Sequence, residues 1–107
     1  MTDLFANPLP IHTATVDGVE VRIAELSAGR AEEFNKRIDD KQPLRTQAAL
    51  VALCLRDANG AAVFSDVDAG VSKILDGWTV ARLEAMFRAC CKANAMGADA
   101  QEEARGN

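Results

Sequence analysis

The dipeptide Asp17-Gly18 lies between two runs rich in β-branched residues, and it restricts this chain more than any other feature. Ile11 to Val16 precedes it. Val19, Val21 and Ile23 follow, with Glu20 and Arg22 between them. An Asp-Gly pair suits a two-residue type I′ turn, which needs positive φ that glycine adopts without steric cost. The period of two puts Val19, Val21 and Ile23 on one face. The residues therefore predict a β-hairpin over 11–25. A lone hairpin is marginal in water, so its apolar face must pack on helices or on another subunit.

The remaining chain offers those helices. Over 27–40, Ala31, Phe34 and Ile38 share a stripe, with Glu32, Glu33, Lys36 and Arg37 off it. Ser27 suits the N-cap, where a hydroxyl accepts from a first-turn amide. Gln42-Pro43 ends or interrupts this segment. Over 44–56, Leu44, Ala48, Val51 and Leu55 form one face, Leu50 and Cys54 sit beside it, and Leu53 lies opposite. A helix apolar nearly all round is either central to a core or partly covered by a partner. The run Ala49–Leu55 also suits a buried strand, but Ala and Leu favour helix, which is the reading chosen.

Asp57-Ala58-Asn59-Gly60 reads as a turn, and Ala62-Val63-Phe64 as an extended link. Ser65 is expected to cap a third helix with Val67, Val71, Ile74 and Leu75 as its stripe; Asp76-Gly77 breaks it. Gly70 falls inside that helix, where it either permits close packing or marks a bend. A last helix should start near Trp78 or Thr79. Its Val80, Leu83, Phe87, Cys90, Cys91 and Asn94 fall in one arc of roughly 100° at about 3.6 residues per turn, with Met86 at the flank. Residues 1–10 read as a flexible tail and 96–107 as a polar, disordered one. The expectation is a single α+β domain over 11–95: an N-terminal β-hairpin followed by a small bundle of about four helices.

Charge and cysteine content narrow the function. The net charge of −4 argues against a nucleic-acid surface, which needs clustered cations to neutralise phosphates. Arg82, Arg88 and Lys92 are the nearest approach, and Glu84 lies among them. Cys54, Cys90 and Cys91 have neither a bridging pattern nor zinc spacing, and their apolar surroundings suit buried free thiols in a reducing compartment. No apolar run approaches the roughly 18 residues of a membrane span, and the first ten residues lack the basic start of a signal peptide.

Catalysis finds little support. His12 is the only histidine and falls at the hairpin's start, away from any candidate nucleophile. Asp66 and Asp68 are better explained as helix-capping acids than as a Ca²⁺ loop, and Gly60 and Gly70 make no phosphate loop. The expectation is a non-enzyme with no cofactor and no metal.

The runs Ala49–Asp57, Asn59-Gly60, Val63-Phe64-Ser65-Asp66-Val67-Asp68 and Leu83–Asn94 resemble the tail assembly chaperones of long-tailed bacteriophages. In that pattern an apolar segment ends in an acid. A polar-Gly turn and a hydrophobic-Phe step follow, leading into an acid-capped helix. A final amphipathic helix ends near an Asn. The hairpin and the Leu26-Ser27 start of the first helix also match, so the resemblance spans roughly residues 17–94. It implies a protein of the host bacterial cytoplasm that binds the helical tape-measure protein during tail building and leaves before the particle is complete. It also implies contact with tail-tube protein through an extended form made by frameshifting.

A client of that kind calls for an apolar groove that takes a helix. The candidate partner-binding residues are Leu50, Leu53, Met86 and Phe87, with Trp78 as an anchor. The same five also suit an ordinary core. Self-association is expected too, since an exposed hairpin edge could pair between chains. The alternative function is a structural head–tail connector or tail completion protein that remains in the virion. A small enzyme or regulator using Cys90 or Cys91 as a reactive thiol is a further rival.

Overall fold

The computed structural model describes residues 9–96, so most of the two expected tails lies outside it. Strand β1 (Ile11–Val16) and strand β2 (Val19–Ala24) form the expected antiparallel hairpin. Both turn residues have positive φ, 53° at Asp17 and 76° at Gly18, as a type I′ turn requires. Helix α1 (Ala28–Arg37) follows, then helix α2 (Pro43–Cys54), strand β3 (Leu55–Arg56), helix α3 (Val67–Gly77) and helix α4 (Val80–Ala93). The architecture is α+β: a three-stranded antiparallel sheet, ordered β1-β2-β3, with four helices.

β3 corrects the reading of 44–56 as one helix. α2 stops at Cys54, and the next two residues pair with β2, Leu55 opposite Ile23 and Arg56 opposite Arg22. Two residues carry no period-two signal, so only the neighbouring strand reveals them. Arg56 then bridges to Ala62 across the expected turn. The Asp57 carboxylate shapes that turn by accepting from the amides of Asn59 (2.8 Å) and Ala61 (3.0 Å).

α2 is the centre of the molecule. Every residue from Ala48 to Cys54 is buried, because α1, α3 and α4 all pack on this one helix. That arrangement satisfies an apolar sequence with no polar face. α4 packs on α2 and on both long strands, so its buried side is wider than a single stripe: Leu83, Met86 and Cys90 are enclosed. Met86, expected at the flank, is 2% exposed, whereas Val80, expected inside, is 52% exposed. α1 is shorter than expected. It ends at Arg37, and Ile38 turns outward in an extended conformation. Among the described residues no polar or charged side chain is fully enclosed.

The last turn of α4 is closed by a Schellman arrangement. The Met96 amide donates to the Cys91 carbonyl (2.7 Å) and the Ala95 amide to that of Lys92 (3.2 Å), with Ala95 at φ 54°. Asn94 fixes this end to the link between β2 and α1. Its Oδ1 accepts from the Leu26 amide (2.7 Å), while its Nδ2 donates to the Cys90 carbonyl (3.0 Å).

Candidate functional site

Of the five residues expected at a partner surface, the structure places three, Leu50, Leu53 and Met86, in the core. Leu50 and Leu53 on α2 have no exposed surface, and Met86 on α4 has almost none. Trp78 and Phe87 are half-buried and pack against the same cluster. A groove exposing Leu50, Leu53 and Met86 is therefore corrected: α2 is covered on all sides, so these side chains meet other helices rather than solvent.

The open groove lies instead on the outer side of α3, and its volume is about 570 Å³. One wall is the loop Val63–Asp66; the other is the helix surface at Ala69, Ser72, Lys73 and Asp76. Val63 is 44% exposed there, and Phe64 is half-buried. Phe64 packs closely on the helix because residue 70 has no side chain. A Cβ at Gly70 would sit 2.6 Å from Phe64 Cγ and 2.9 Å from its Cβ. Gly70 therefore permits close packing, the first of the two options that the sequence left open.

The groove's start is set by a cap. Asp66, not the expected Ser65, caps α3, its Oδ1 accepting from the amides of Asp68 (3.0 Å) and Ala69 (3.3 Å). Its charge also suits the positive end of a helix. Ser65 is left exposed on the groove wall. Among the described residues neither Lys73 nor Asp76 takes part in an ion pair. The groove thus has an apolar patch formed by Val63, Phe64 and Ala69, with hydroxyls and charges of both signs around it. That chemistry suits an apolar side chain presented by a polypeptide.

The groove is faint in the sequence because most of its lining is small or polar. The available signal is weak. Ala69, Ser72, Lys73 and Asp76 fall on one side of α3, opposite the Val67, Val71 and Ile74 stripe, and two of the four are small.

Elsewhere the geometry is structural. Arg37 reaches from α1 to Asp68 (2.6 Å), which holds its guanidinium above the ordinary range, and to Glu33 (3.4 Å). Arg82 joins α4 to the hairpin turn at Asp17 (2.8 Å), and His12 meets Glu25 (2.7 Å). Cys54 and Cys90 are fully enclosed. A hydrogen bond with Cys54, together with burial, pushes the Cys90 thiol above its usual range, and burial does the same to Cys91. Among the described residues no three His, Cys, Asp or Glu side chains converge on a metal position. Nor is any helix among them long and apolar enough to cross a membrane.

The chain matches no protein-family model, no curated protein and no solved structure.

Proposed function

We propose that this chain is a non-enzymatic phage or prophage tail assembly chaperone, working in the host cytoplasm, and that the α3 groove takes a helical segment of the tape-measure protein. The supporting observation is the groove itself: an exposed Val63 stands beside a half-buried Phe64 and an exposed Ala69. An amphipathic helix buries its apolar stripe in such a channel and leaves its polar sides to the rim. The groove is lined by Val63, Phe64, Ser65 and Asp66, part of one of the segments through which the sequence resembles these chaperones. Contact with tail-tube protein through an extended form, with neither nucleic acid nor membrane as partner, belongs to the same reading.

The test is co-expression with the tape-measure protein of the same phage or prophage, followed by pull-down and light scattering. A soluble complex is expected. Val63→Glu and Ala69→Arg should each weaken it at least about tenfold, equivalent to about 1.4 kcal/mol. Val80→Glu, at a somewhat more exposed valine on α4, should leave it unchanged. No complex, together with this chain in purified particles, would favour the connector or completion protein instead.

A further inference from the structure

We propose that two copies of this chain join through the outer edge of β1, antiparallel, about a two-fold axis at Thr13. Among the described residues no strand pairs with that edge, and β1 is the terminal strand of the sheet. Long open edges are ordinarily protected by charges, prolines or bulges. β1 (Ile-His-Thr-Ala-Thr-Val) has none of these between Ile11 and Val16, and His12 is its only titratable side chain. Two copies can therefore approach without setting fixed like charges against each other. The neighbouring Arg22 residues would stand three strand spacings apart, about 14 Å, beyond the screening length of about 8–10 Å at physiological salt.

The hydrogen-bond phase of the hairpin selects the register. In an antiparallel pair, residues alternate between those bonded to the neighbour and those whose amide and carbonyl face away. Val16 opposite Val19 closes the two-residue turn, and the Glu25 amide donates to the Pro10 carbonyl at 2.9 Å. The even-numbered residues of β1 are thus bonded to β2. Ile11, Thr13 and Thr15 present their amides and carbonyls outward. Pro10 has its missing N–H on the β2 side, so it does not spoil the free edge.

Self-pairing about Thr13 is the register that uses all three outward residues. Ile11 then faces Thr15 of the second copy, Thr13 faces its own equivalent, and each pair exchanges two N–H···O=C bonds. The threonines make a favourable cross-strand pair on the axis. The result is one sheet of six strands, with both copies of α4 on the same face. Two six-residue strands bury less than the roughly 1,200 Å² total of a standard stable interface, so the dimer is reversible.

Sedimentation of the client-free protein across a concentration series tests this independently of any tape-measure binding. A monomer–dimer equilibrium is expected. Thr13→Lys and Thr13→Pro should each raise the dissociation constant at least about tenfold, a change of about 1.4 kcal/mol. Circular dichroism should show the fold retained, because neither change removes a β1–β2 hydrogen bond. Register is read by cross-linking in a Cys91→Ser background. The shortest bifunctional maleimide should link Thr13→Cys into a covalent dimer, since directly opposed hydrogen-bonded residues have Cα atoms about 5.5 Å apart. It should not link Thr15→Cys, whose equivalents lie four residues out of register. A protein monomeric at every concentration overturns the proposal, and so does a dimer indifferent to both Thr13 variants. A monomer that dimerises only once residues 1–8 are removed also overturns it, and makes the chain's own N-terminal segment the occupant of the edge.

Discussion

Residue 70 shows how one missing side chain can shape a surface. Glycine inside an exposed helix costs up to about 1 kcal/mol against alanine, so Gly70→Ala would ordinarily stabilise α3. Here the added methyl meets Phe64 at its Cγ and Cβ, the base of the side chain rather than its free end, so the ring has to lift off the helix. The expected outcome is a net loss of about 1–2 kcal/mol in denaturant unfolding, since overpacking costs typically about 1–3 kcal/mol. The groove floor should be lost with it, weakening client capture. Equal or greater stability would mean that Phe64 relocates at no cost. The sequence marked Gly70 as unusual, but the reason lies in Phe64, six positions away and outside the helix. Chain spacing does not reveal that contact.

Among elements, the legible ones carry their own pattern. The hairpin announced itself through Asp17-Gly18 and alternation, and α1, α3 and α4 through helical stripes. β3 is too short to have a pattern, and α2 has too much apolar sequence to show a face, so their limits emerge only from what packs beside them. The cap of α3 falls one residue later than expected: Ser65 and Asp66 both suit the position, and because the helix starts at Val67, Asp66 takes it. Asp66→Ala is therefore expected to cost about 1 kcal/mol, the usual loss for a removed N-cap. Ser65→Ala should change stability by less than about 0.5 kcal/mol. Thermal or urea unfolding of the two variants checks this, and the reverse ranking would return the cap to Ser65.

At the scale of the whole molecule, the core is a shell of helices and sheet around α2. The candidate site is not part of it. Large apolar residues stand out in the sequence, but α2 is covered by α1, α3 and α4, so its Leu50 and Leu53, and the Met86 that packs in from α4, lie inside rather than at the surface. The surface groove is built from small and polar residues, whose sequence signature is faint. The thiols report on the same organisation. Cys54 on α2 and Cys90 on α4 have no exposed surface, while Cys91 is half-buried. Two of the three thiols should therefore react with a maleimide only at a rate set by global unfolding, rising in step with denaturant as the unfolded population grows. Rapid labelling of two or more in the native protein would show that α4 opens locally, and would revive a thiol-based activity.

The finish of α4 has a mechanical consequence. A helix that merely frays can be lengthened by whatever residues follow it. This one turns into a left-handed conformation at Ala95 and is fastened through Asn94 to the start of α1. The last turn of α4 therefore cannot unwind without also releasing the Leu26 amide at the entry to α1.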